Sequence, residues 1–176
     1  HADHARWGNK HYLCHNDSKA ILKHRIGQDI SIESMGYNEP KTINGVKVSF
    51  YSAGHIIGSA QIRLEHKGYV IVFSGDYKTQ PDFITVPFEP VKCNEFITES
   101  TFGLPVYKWK TELELQTELQ NWVLQNQQNN RTSVFLGYSL GKAQRIMKLV
   151  EGVDAIFVHS AIANLNDAIS SSGNQL

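Results

Sequence analysis

Residues 43–76 read INGVKVSFYSAGHIIGSAQIRLEHKGYVIVFSGD, and the fold class turns on them. Val46, Val48 and Phe50 alternate with polar residues directly after Asn44-Gly45, a dipeptide that accepts the positive φ angles of a tight hairpin turn, with Ile43 closing the preceding strand. Ile62 and Leu64 pair with Val70 and Val72 across a second turn at Lys67-Gly68, so successive strands of one sheet are predicted. Between these hairpins, Ser52-Ala53-Gly54-His55-Ile56-Ile57-Gly58-Ser59-Ala60 sets a histidine between glycines at a strand end, where small neighbours let backbone and ligand approach closely. Ser74-Gly75-Asp76-Tyr77 does the same for a carboxylate at the end of the apolar strand 70–73. The plain structural alternatives are a core histidine and a turn-capping aspartate.

Working outward, residues 18–26 have helical spacing, with Asp17 or Ser18 as N-cap, Ile21, Leu22 and Ile26 on one face and Gly27 as a stop. Tyr12-Leu13-Cys14 reads as a strand. Residues 79–94 contain Pro81, Pro87 and Pro90 and no clean period, which predicts a crossing loop, followed by a brief strand at 96–99. From residue 111 the pattern changes. Leu115, Leu119, Trp122 and Val123 share a helical face that places Trp122 in the core, and the Gln/Asn-rich stretch 125–130 is its frayed end. Apolar runs at 133–136 and 155–158 read as strands alternating with helices at 141–150 and 165–169. Such alternation predicts a parallel βα layer. The hairpin-rich part and the βα part divide the chain into 1–104 and 105–176.

Acidic and basic side chains both number 17, so no global field draws the protein toward an anionic polymer, and nucleic-acid binding would need a local basic groove. Cys14 and Cys93 are far apart in sequence, without metal or redox spacing; they read as buried thiols of a reducing compartment. No apolar run approaches the roughly 18 residues of a membrane span, and the first residues are polar, so no membrane partner and a cytoplasmic location are expected.

His1-Ala2-Asp3-His4 crowds two imidazoles and a carboxylate into four residues, a donor set suited to a borderline-soft divalent ion such as zinc. With His55 and Asp76 it makes three turn elements, each supplying ligand-type side chains.

In this order, HADHARWG, AGHIIGSAQ, SGDYK and ESTFG resemble the metallo-β-lactamase superfamily, specifically its β-CASP nucleases. YLC, PFEPVKC, FITESTFGLP and LGKAQRI bring the wording nearest to the bacterial ligase-associated DNA exonucleases. The resemblance implies an α/β fold: a partial metallo-β-lactamase αβ/βα sandwich over 1–104, with the start of a βα-alternating β-CASP domain over 105–176. It implies two zinc ions, the first held by His1 and His55, the second by Asp3 and His4, with Asp76 bridging both. Glu99 matches the acidic residue that assists near the attacking water, and Asp3 and Glu99 are the expected catalytic carboxylates. Two such ions, about 3.5–4 Å apart, stabilise attacking and leaving oxygens in phosphodiester displacement. The implied function is DNA end-processing beside a DNA ligase, with an RNA-processing β-CASP nuclease as the alternative. A small-molecule hydrolase of the superfamily fits less well, because such members lack the βα segment after ESTFG.

The sequence opens after the first histidine of the family's HxHxDH motif and ends before two histidines the family uses downstream. The expectation is therefore a fragment that binds metal weakly or not at all, with a non-catalytic structural piece as the competing reading.

Gly137-Tyr138-Ser139-Leu140-Gly141-Lys142-Ala143 is one residue short of a phosphate loop and has Ala143 where the magnesium-binding hydroxyl belongs, which rejects a nucleotide site. Lys142 at a helix start and Arg145 one turn on remain candidates for a substrate phosphate. Trp109, between Lys108 and Lys110, is the candidate for stacking on a base. His11, His15, His24 and His66 read as ordinary surface or half-buried histidines, and Lys19, Lys23 and Arg25 as a solvated helix face. His159, at the end of the strand 155–158, has the place of a functional loop residue but is not expected to be a ligand, because the family's own histidines lie further downstream.

Overall fold

The computed structural model describes residues 1–174 and 176. Two short strands, β1 (Tyr12–His15) and β2 (Ile32–Met35), run parallel and are joined by helix α1 (Lys19–Ile26). The main sheet has the order β3 (Lys41–Ile43), β4 (Val46–Ser52), β5 (Ala60–His66), β6 (Tyr69–Phe73) and β7 (Glu95–Ile97). Its first four strands are antiparallel neighbours, and β7 joins parallel to β6 after the proline-containing crossing. Both predicted turns form as hairpins: Asn44 and Gly45 have φ of 49° and 81°, and Lys67 and Gly68 have 50° and 81°.

Helices α2 (Glu112–Gln128), α3 (Lys142–Leu149) and α4 (Ser160–Ser170) follow. Thr111 caps α2 through a reciprocal box with Glu114, which explains the sharp start after the coil of 98–110. The expected domain division at 104/105 falls within that coil. The strands expected at 133–136 and 155–158 do not form, and the parallel βα layer is absent among the described residues. Leu136 and Phe157 are about nine-tenths exposed, and these segments have no neighbouring strand to complete a ladder. An apolar run becomes a strand only where another strand satisfies its amides and carbonyls. Trp122 is 42% exposed rather than in the core, touching Phe135 edge-on with ring centroids 5.3 Å apart. Of the two thiols only Cys14 is buried, and Cys93 is half-buried.

The core lies between α1, α4 and the His55 loop. Ile21, Leu22, Leu165 and Ile169 from the helices meet Cys14, Leu140, Ile56 and Ile57. Burying an isoleucine stabilises by about 1.5–3 kcal/mol, so Ile56 and Ile57 fasten the loop between β4 and β5 to the helical layer. No helix among the described residues is long and apolar enough to cross a membrane.

Candidate metal centre

Three turns at one end of the sheet supply the site. The first is a single 3-10 turn, Ala2–His4, whose buried Ala2 anchors it in the core while His1 accepts a hydrogen bond from the Asp3 amide at 3.3 Å. The second is the loop 53–59 after β4. Its tight path depends on glycine: a Cβ on Gly54, at φ +66°, would lie 2.8 Å from the Phe88 amide nitrogen. Gly58, at φ +72°, would put one 2.8 Å from the Ser18 nitrogen. The buried Ser59 hydroxyl accepts from the amides of His55 at 3.0 Å and Ile56 at 3.1 Å, fixing the histidine's backbone. The third turn follows β6. Fully buried Ser74 donates from its amide to the Ile97 carbonyl (2.9 Å) and from its hydroxyl to Thr98 (3.2 Å), tying the Asp76 turn to the end of β7.

These turns bring three imidazoles to one carboxylate oxygen. Oδ2 of Asp76 lies 3.0 Å from Nε2 of His1, 3.4 Å from Nε2 of His4 and 3.9 Å from Nε2 of His55. One donor atom each of His1, His55 and Asp76 falls within a 4.8 Å cluster. The His1 ring stacks tilted against His4 and His55 at centroid distances of 4.1 and 5.1 Å. Burial keeps the His55 imidazole below its ordinary pKa despite the opposing charges of Asp76 and Glu99, so at neutral pH it offers a lone pair. Imidazole nitrogens crowding a carboxylate match the donors zinc takes, and the side chains present fit such an ion.

Asp3 stands apart from this group. Its carboxylate is ion-paired with Arg25 in the last turn of α1 and comes only within 4.0 Å of His1 Nδ1. Arg25 is therefore a partner of the site rather than part of a merely solvated face. Half-buried Glu99 accepts a hydrogen bond from the Thr101 hydroxyl at 2.7 Å, and its charge is felt at His55.

Outside the cluster, Lys142 begins α3 and lies 5.1 Å from the centre of the Tyr138 ring. The Nε of Arg145 donates to both carboxylate oxygens of Glu112, at 2.9 and 3.0 Å, so its guanidinium joins α3 to the start of α2. Trp109 sits on the surface with Phe102 edge-on at 5.2 Å and Tyr107 parallel at 6.1 Å. His159 caps α4 by accepting from the Ala161 amide at 3.1 Å. His15 stacks on Tyr37 at 3.7 Å, and the Tyr37 hydroxyl donates to the Ser59 carbonyl, a layer of support behind the loop.

Sequence reasoning missed the residues that hold the clustered side chains in place. Ser59 and Ser74 were legible only as small residues. Asp82 carried no signal beyond its spacing to Thr85, yet its buried carboxylate accepts from the amides of Ile84 and Thr85 and from the Thr85 hydroxyl, and pairs with Lys78. Burial alone would raise the Asp82 carboxyl, but these bonds outweigh it and hold the group below its ordinary pKa.

Fold and site together define an α/β protein consistent with part of a metallo-β-lactamase/β-CASP fold, carrying a histidine-aspartate centre suited to a divalent metal. Its relatives are more particular. The chain is 31% identical over 122 residues to cleavage and polyadenylation specificity factor subunit 3 of Dictyostelium discoideum, a match covering 68% of this chain and 16% of the relative. It is 29% identical over 123 residues to cleavage and polyadenylation specificity factor 73 of Drosophila melanogaster, covering 68% and 18%. It is 28% identical over 122 residues to endoribonuclease YSH1 of Saccharomyces cerevisiae, covering 68% and 15%. The chain thus matches less than a fifth of the length of these relatives. No family model matches it. Among solved structures, one of a protein of unknown function from Enterococcus faecalis V583 superposes with a TM-score of 0.65 at 16% identity, covering 97% of this chain and 47% of that one. None of these three curated relatives is named for ligation or for DNA, so the expected kinship with ligase-associated DNA exonucleases gains no support from them, and the RNA-processing alternative does.

Proposed function

We propose that this chain is the metal-binding part of a zinc-dependent phosphodiesterase of the metallo-β-lactamase superfamily, in its β-CASP branch, and that the protein cleaves RNA internally. The observation that carries the reading is the approach of His1, His4 and His55 to a single oxygen of Asp76. The likeness to proteins named as endoribonucleases supports RNA over DNA as the substrate.

In this reading His1, His55 and Asp76, whose donor atoms cluster within 4.8 Å, would hold one ion and leave a position for water. When bound, zinc acidifies water toward neutral pH and neutralises charge on phosphate oxygens. His55 enters uncharged because burial disfavours its protonated form, so no proton must leave it before binding. Glu99 would accept a proton from the attacking water, and the Asp76 carboxylate, close to all three imidazoles, would hold them together. A second ion would draw on Asp3 and His4, which requires Asp3 to exchange Arg25 for metal. Lys142 and Trp109 contact the strand, whereas Arg145 could do so only by releasing Glu112. Residues 1–104 form the metallo-β-lactamase part and 105–176 the start of the β-CASP part.

One observation favours a second reading, a DNA exonuclease working beside a ligase: the wording of residues 96–105 and 140–146 resembles that family. Zinc-loaded protein incubated with uniformly labelled RNA and with single-stranded DNA separates the two. Intermediate-length RNA fragments, lost in His55→Ala, are expected; mononucleotides released from DNA would support the second reading. Protein that retains zinc and cleaves neither substrate would refute both.

A further inference from the structure

The face of the main sheet that carries Lys47, Ser49 and Tyr51 on β4 carries their partners Glu65, Arg63 and Gln61 on β5. A crossing segment lies against this face: the Glu89 amide donates to the Ser52 carbonyl at 3.1 Å, and the Gln61 side-chain amide donates to the Glu89 carbonyl at 2.7 Å. Between the strands and residues 90–92 opens a cavity of about 350 Å³, and Lys47, Ser49, Tyr51, Arg63 and Lys92 contribute to its walls.

Its chemistry is one-sided. Three cationic side chains line it, and no carboxylate does among the described residues. Glu65, outside the lining, accepts from Arg63 at 2.7 Å and lies 3.9 Å from Lys47; it holds the Arg63 guanidinium, whose side chain is only 17% exposed, in a fixed orientation. Glu89 is turned to the Asn38 side chain at 3.2 Å. A preset guanidinium, two ammonium groups and two hydroxyls offer donors from several directions, which suits a tetrahedral oxyanion better than a planar carboxylate. The volume exceeds what a bare oxyanion fills and falls in the range of small-molecule sites.

We infer that this cavity is an anion subsite, separate from the metal centre, that takes a phosphate group carried by a nucleotide or an RNA strand. Tyr51 in its wall precedes His55 by four residues on the strand that leads into the metal loop, so a strand bound here would lie alongside the route to the metal centre. The RNA source rests on the function proposed above; the site itself rests on the cavity and its charges.

Backbone amide shifts of the chain, recorded in chelator so that no metal is present, test this with two probes: inorganic phosphate and a short oligoribonucleotide. Shifts at Ser49, Tyr51, Arg63 and Lys92 are expected, and the double substitution Lys47→Gln, Lys92→Gln should weaken binding at least tenfold with the melting temperature unchanged. Shifts from both probes identify an RNA strand as the occupant, and shifts from phosphate alone identify a free phosphate or mononucleotide. No shift at these residues from either probe, or equal binding by the double variant, overturns the site. Because metal is absent throughout, failure of the nuclease reading leaves this result unaffected.

Discussion

Arg25 holds the carboxylate of Asp3 in an ion pair that links the end of α1 to the turn bearing His1 and His4. A guanidinium beside a prospective ligand competes with a cation for it. Replacing Arg25 with Met keeps most of the side chain's packing and removes the competitor. We expect R25M to bind zinc beyond the first equivalent about tenfold more tightly, equivalent to about 1.4 kcal/mol. Isothermal titration calorimetry reads this directly, and an unchanged second isotherm would mean that Asp3 is not a ligand.

Asp76 is the one group that every imidazole of the cluster approaches. Asp76→Asn keeps the shape but removes the charge, and zinc affinity should fall by more than the 10–100-fold typical of losing an outer-shell partner. Ser74→Ala, which frees the turn without altering His1, His4, His55 or Asp76, should cost about 10-fold. Competition with a fluorescent chelator ranks the two; equal losses would show that Asp76 only shapes the turn.

Ser59 satisfies two amides inside a buried loop. Ser59→Ala leaves both without that acceptor, a cost of about 1–3 kcal/mol. For a chain of this length that corresponds to a fall in melting temperature of roughly 2–4 °C per kcal/mol. Ser59→Cys, which retains a weak acceptor, should fall between. A melting temperature equal to wild type in the alanine variant would remove Ser59 from the scaffold.

His15 gives the fold a pH dependence. Burial lowers its pKa, against the opposing charges of Asp17 and Glu39. With the folded value below the unfolded one, near 6.5, the unfolded chain takes the proton first, so this contribution is intact above that pH and is lost as pH falls toward the folded pKa. The urea midpoint should drop between pH 7 and pH 5, and His15→Asn, which can still cap the Asp17 amide, should flatten part of that slope. Parallel slopes in the two proteins would assign the effect elsewhere.

The hairpins and the turns that carry His55 and Asp76 were legible because both are written locally. Asn44-Gly45 and Lys67-Gly68 set the turns over two residues, and alternation set the faces. His55 and Asp76 stood out because glycines flank them where strands end. What was not legible depends on distant partners. Residues 133–136 and 155–158 have strand-like composition, but a ladder needs a second strand. β2 went unread because Ile32-Glu33-Ser34-Met35 lacks a β-branched run and takes its register from β1, 20 residues away in the pairing of Tyr12 with Ile32. The pairings of Arg25 with Asp3 and Arg145 with Glu112 follow from chain packing, which no spacing announces.

Ile56 and Ile57 put the residues next to His55 inside the hydrophobic core, among the side chains of α1 and α4. Many binding loops are drawn from the parts of a protein that open most readily. Here the His55 loop belongs to the same cooperative unit as the helices, so its amides should exchange with deuterium only as fast as the core itself opens. A metal captured there would meet an imidazole whose backbone local breathing does not displace, and evolution could alter that backbone's surroundings only by repacking the interior.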